Sequence, residues 1–79
     1  MSQYRVTKGT TVFTYGFDRI IPEYFMFVQK ENEDQQELVG SLGEKQGTKS
    51  NLLDAITKNN LVSLIPEEHL RNIMLDLPF

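Results

Sequence analysis

Apolar residues follow two different rhythms along this chain, alternating or bunching in the first half and recurring every three or four positions in the second. Phe13, Tyr15 and Phe17 alternate with Thr14 and Gly16. With Val6 and Val12 they make residues 4–17 strand material, rich in β-branched and aromatic side chains. Lys8-Gly9-Thr10 is a turn that can split this segment into a short hairpin, Gly16 can supply a bulge or bend, and Asp18 can open a turn before Ile20-Ile21-Pro22. Glu23 to Gln29, EYFMFVQ, is the most concentrated apolar run. Its aromatic content fits a strand at the centre of a sheet, covered on both faces. The KENEDQQE that follows is too polar for a core, and Leu38 to Leu42 reads as a weaker strand. Residues 23–42 are therefore expected to form a hairpin with a wide, acidic tip.

Gly43 to Gly47 ends this pattern. Thr48 or Ser50 can then cap a helix whose apolar positions are Leu52, Leu53 and Ile56, with Asn59-Asn60 as its stop, because asparagine tolerates the left-handed conformation at helix ends. Leu61 to Ile65 is an apolar connector. From Pro66 onward Leu70, Ile73, Met74 and Leu77 recur at i, i+3, i+4 and i+7, which puts them on one face of a second helix. Pro66 suits its first turn, and Glu67 and Glu68 lie near the positive end of its dipole. Strands followed by helices predict an α+β domain over residues 1–79: a small antiparallel sheet of about three strands with two C-terminal helices on one face. Ile73 and Met74 are expected to be buried against the sheet that carries Phe25 and Phe27.

Composition narrows the chemistry. The chain has 79 residues, no cysteine and one histidine, His69. Disulfides are excluded, and a four-coordinate zinc site lacks its usual ligands. The acidic run at 31–37 has no glycine for a calcium loop. No cofactor is expected. The start, MSQYRVTKG, has no apolar stretch behind a basic one, and the apolar runs fall far short of the ~20 residues that span a bilayer. The expectation is a cytoplasmic protein without a secretory signal or a membrane segment.

The net charge of −3 is unevenly spread, because Glu31, Glu33, Asp34 and Glu37 oppose a single Lys30 between residues 29 and 37. No basic cluster is visible apart from Arg5, Lys8 and Arg19, should the fold gather them on one edge. Nucleic-acid binding, which needs a basic patch, is therefore disfavoured.

Four groups of residues invite a chemical reading. Gly43 to Ser50 resembles a phosphate-binding loop, but its glycines are one residue too close and Thr48 separates Gly47 from Lys49; a turn and a capped helix account for it better, with an anion at that helix start as the weaker option. His69 beside Glu67 and Glu68 suggests acid–base work, yet sequence neighbours on a helix do not face each other, and no motif announces Ser41, Ser50 or Ser63 as a nucleophile. A solvent-facing histidine is the simpler expectation. Glu31, Glu33 and Asp34 lack the fixed cleft that paired catalytic carboxylates need; they are either solvated or an acidic recognition surface for a basic partner. The eight aromatics have mostly apolar or neutral neighbours, which favours core packing over base stacking.

Tyr15-Gly16-Phe17-Asp18 followed by Glu23-Tyr24-Phe25-Met26, and Asp76-Leu77-Pro78-Phe79 after the helix start Pro66-Glu67-Glu68-His69, resemble small bacterial single-domain proteins of unassigned function. The resemblance implies a short single domain and carries no activity with it. The residues favour a non-enzymatic protein-interaction module, a regulator or inhibitor, with Glu31, Glu33 and Asp34 as candidate partner-binding residues. A nucleic-acid-associated accessory protein, or a small hydrolase using His69, is the alternative. A core this small also leaves room for a homodimer, formed through an exposed sheet edge or the 61–65 connector.

Overall fold

Four strands precede two helices among the residues described by the computed structural model, 2–40 and 46–77. They are β1 (Ser2–Lys8), β2 (Thr11–Asp18), β3 (Glu23–Gln29), β4 (Gln36–Val39), α1 (Lys49–Lys58) and α2 (Glu67–Met74). The strands form one antiparallel sheet in the order β1-β2-β3-β4. The α+β class stands, with four strands where about three were expected. Gly9 accounts for the extra one: its φ of 63° turns the chain in a two-residue loop, so that Lys8 pairs with Thr11. A positive φ at the first loop position matches the twist of the flanking strands, and glycine adopts it without strain.

The register corrects one expectation. Gly16 pairs with Gln3 on one side and Phe25 on the other without a break. The irregularity lies instead between β3 and β4, where Met26 pairs with Val39 and Phe27 with Glu37, leaving Leu38 as the extra residue. Ser41 and Leu42 of the strand expected at 38–42, Gly43 to Lys45 of the phosphate-loop-like segment, and Pro78 and Phe79 lie outside the described residues.

Alternation sorts the side chains onto two faces. Val6, Phe13, Tyr15, Tyr24, Met26, Val28 and Val39 join Leu52, Ile56, Leu61, Ile65 and Ile73 in one core between sheet and helices. Phe25 and Phe27, of opposite parity, point to the other face. The C-terminal helix packs on the opposite side of the sheet from these two rings, so Ile73 is buried against the sheet that carries them, as expected, but not against the rings themselves. Tyr24, Phe25 and Met26 are buried in succession on this inner strand.

The helix ends follow their local chemistry. The Thr48 hydroxyl accepts from the Asn51 amide (3.2 Å), capping α1. Both helices close with a left-handed residue and the same hydrogen-bond pair: Asn60 at φ 57° with Leu61 N to Ile56 O, and Asp76 at φ 56° with Leu77 N to Asn72 O. Pro66 is the residue before α2 rather than within its first turn. Gly47 is needed where the chain rejoins the sheet: its carbonyl accepts from Tyr24 N at 2.9 Å, and a Cβ there would lie 2.6 Å from the Tyr24 carbonyl oxygen.

The four-residue stripe predicted for α2 is only half buried. Ile73 is fully inside and Leu70 partly so, whereas Met74 is 60% exposed and Leu77 49%. At about 100° per residue, a face centred on His69, Ile73 and Asp76 lies about 80° from one centred on Leu70, Ile73, Met74 and Leu77. Replacing Ile73 by Asp would bury an unpaired charge and should cost several kcal/mol, enough to unfold a domain of this size. Met74→Asp should stay within about 0.5 kcal/mol, as exposed substitutions do. Urea unfolding of both variants checks this; equal midpoints would refute the rotation of α2.

Candidate functional site

The connector from β3 to β4 carries the acidic residues singled out in the sequence. Glu31, Glu33 and Asp34 are all exposed. Its backbone is turned by Asn32 at φ 61°, a conformation asparagine tolerates, and is held by Glu33 N to Lys30 O at 3.1 Å. The Gln29 side-chain amide adds a longer contact to the Glu33 carbonyl, 3.4 Å. The structure thus brings these carboxylates together on one turn at the end of the sheet. Among the described residues nothing walls them into a cleft, so the arrangement suits long-range attraction of a cation rather than acid–base chemistry.

A second group was missed by the sequence reading. His69 is half-buried, and its Nδ1 lies 2.7 Å from the Tyr15 hydroxyl. In the tautomer protonated at Nε2 the phenol donates this bond. The Tyr4 ring lies against the imidazole, with centroids 4.2 Å apart. Nearby, Tyr24 OH donates to Asp76 Oδ1 (3.0 Å), while Lys49 Nζ donates to Asp76 Oδ2 (2.7 Å) and to the Met74 carbonyl (3.2 Å). The first residue of α1 therefore neutralises the carbonyl end of α2.

The expectation of a solvent-facing histidine is replaced by a docking contact. The hydroxyl that meets His69 is a phenol, and Ser50 and Ser63 are exposed residues on other segments. Burial, with a smaller contribution from Tyr4, pushes the Tyr15 phenol up to about 12. Burial also lifts Tyr24 to about 12, aided by its bond to Asp76 and that group's charge. Both phenols stay protonated at neutral pH, where they serve as hydrogen-bond donors. Asp76 is held below its ordinary 3.8, first by the Lys49 bond and then by Tyr24. The signal for this cluster was the inward parity of Tyr15, since a buried phenol needs a partner.

Among the described residues no group of three or more His, Asp or Glu side chains could hold a metal ion, and no helix is long and apolar enough to cross a membrane. No family model, curated protein or solved structure matches the chain.

Tyr15→Phe should destabilise the fold by about 1–3 kcal/mol, because the hydroxyl-to-imidazole hydrogen bond is lost; a melting temperature equal to the parent's would refute the docking role. The titrations have opposite signs. The raised phenols contribute stability that is complete below pH 10 and is lost as pH climbs towards about 12. The lowered Asp76 contributes stability that is present above its ordinary 3.8 and is lost as pH falls below that value. Tyrosinate absorbance should show Tyr15 and Tyr24 ionising only as the fold opens. Asp76→Asn should lose the acid-side component, so that its stability converges with the parent's in acid.

Proposed function

We propose that this chain is a small, non-enzymatic protein-interaction module that acts in the cytoplasm as a regulator or inhibitor, binding a partner with a basic surface. The observation that carries this reading is the β3–β4 turn: three exposed carboxylates on a connector whose backbone is shaped by Asn32 and bonded to itself. Such a concentration of like charge steers an oppositely charged partner and raises its association rate. It contributes little to folding, since the turn buries little. The same charge opposes binding to a nucleic-acid backbone.

A second reading, self-association, is favoured by β1. This seven-residue edge strand pairs with β2 through an unbroken register and carries no proline. The connector is a poorer dimer surface, because Leu61 and Ile65 are in the core and only Val62 and Leu64 point outward among its apolar residues. Sedimentation equilibrium giving a monomer at high micromolar concentration would remove the dimer.

For the main reading, affinity capture from the host's lysate supplies the partner. Changing Glu31, Glu33 and Asp34 together to Ser should leave the urea midpoint unchanged. It should slow association about tenfold or more at low salt, with the difference shrinking as salt rises. Equal association rates at low salt would refute it.

A further inference from the structure

Tyrosine is the side chain of this sequence that gives up an electron most readily, because there is no cysteine and no tryptophan. The three tyrosines stand in different settings. Tyr24 donates to Asp76, a carboxylate that Lys49 also binds and that is held below its ordinary 3.8. Such a group takes up a proton poorly. Tyr15 instead lies 2.7 Å from His69 Nδ1, and an imidazole is a stronger base than a carboxylate. Tyr4 is half-buried, and its ring centroid is 4.2 Å from that imidazole and 5.7 Å from the Tyr15 ring. Tyr15 itself is fully inaccessible. The fold thus pairs one enclosed phenol with a base and joins both to a ring nearer the surface.

We propose that Tyr15 and His69 form a proton-coupled one-electron donor that quenches small oxidising radicals, with Tyr4 conducting the electron. This goes beyond the acidic-turn reading and does not depend on it. A phenol that loses an electron while keeping its proton becomes a very strong acid. Oxidation is therefore easiest where a base stands ready at the hydroxyl. Burial pushes the Tyr15 phenol up to about 12, which closes the alternative route through a phenolate at neutral pH. With Nε2 protonated, His69 Nδ1 is the acceptor at that hydroxyl. A peroxyl radical takes one electron from Tyr15 through Tyr4 and becomes a peroxide anion, which takes a proton from water. The Tyr15 O–H bond breaks, and its proton forms the Nδ1–H bond of an imidazolium. The products are a neutral phenoxyl and a His69 with both ring nitrogens protonated. His69 is half-buried, so this cation keeps part of its hydration. An enediolate reductant such as ascorbate then returns one electron and becomes its own radical, and the proton moves back from Nδ1 to the phenoxyl oxygen. Tyr4 ends each step as it began. The inaccessibility of Tyr15 keeps its radical from coupling with that of a second chain, the ordinary fate of an exposed phenoxyl.

The test uses the full chain, with azidyl radicals from pulse radiolysis as the oxidant and phenoxyl absorbance as the readout. The parent should form a phenoxyl that outlives that of Tyr15→Phe several-fold. It should form more slowly in D2O, because a proton moves with the electron. His69→Asn places an amide where Nδ1 stood and keeps the phenol's hydrogen bond without a base. Its urea midpoint should stay near the parent's while the persistent radical is lost, an effect that a purely structural contact does not produce. Tyr4→Phe should slow the appearance of the radical several-fold, and Tyr24→Phe should leave it as it is. If Tyr15→Phe fails to fold, His69→Asn and the isotope effect carry the test. A phenoxyl that decays alike in the parent and in His69→Asn, or that forms at the same rate in D2O, would overturn the pair. Loss of the persistent radical in Tyr24→Phe would overturn its assignment to Tyr15, and an unchanged rate in Tyr4→Phe would overturn the relay. Nitrogen NMR shifts that place the proton of neutral His69 on Nδ1 would overturn the proposal at its first step.

Discussion

A tyrosine that is wholly buried brings its hydroxyl with it, and that hydroxyl must find a partner inside the protein. Tyr15 is fully inaccessible, and its partner is His69, the one histidine of the chain. This fixes how α2 is turned. A helix laid down by its apolar residues alone would centre on Leu70, Ile73, Met74 and Leu77. Here it is rolled so that His69 meets Tyr15 and Asp76 meets Tyr24, with Ile73 between them in the core. Met74, Leu75 and Leu77 are left facing out as a result. The phenols orient the helix as much as the hydrophobic effect holds it.

The sheet has two working faces of different character. One is closed by α1, α2 and the inward residues of the 61–65 connector. The other carries Phe25 and Phe27 among carboxylates. Both are aromatic because β3 is an inner strand with large side chains at consecutive positions, Tyr24 and Phe25. One strand thus supplies the core with Tyr24, Met26 and Val28 and the outer face with its rings. The turn that follows it carries the densest negative charge of the chain.

Much of this fold is legible in the residues. The alternation of Phe13, Tyr15 and Phe17, the EYFMFVQ block, the Thr48 cap and the Asn59-Asn60 stop each correspond to observed features, because each depends on local geometry. Gly9 was legible as a turn, and giving that turn its full weight yields the fourth strand. The hidden part was tertiary. Helical periodicity ranks positions by hydrophobicity and assigns no inward role to a histidine, so it points the stripe towards Met74. Which face of the sheet the helices cover is likewise undetermined by alternation, since β3 offers apolar side chains to both. Of the candidate surfaces, the exposed acidic turn could be read directly. The Tyr15–His69 contact could not, because it joins residues 54 positions apart.

The strand order has a kinetic meaning. Because β1 to β4 lie side by side in the order in which they occur, the sheet can form through short loops, each closing at small entropic cost. The ties of α2 are of another kind: Tyr15 and His69 are separated by 54 positions in the chain, Tyr24 and Asp76 by 52. They can form only once the sheet has something to offer, so the last helix closes a molecule that is otherwise assembled from neighbours. Reversed, the same logic makes α2 the unit that opens first, transiently uncovering the phenols while the four-stranded meander persists.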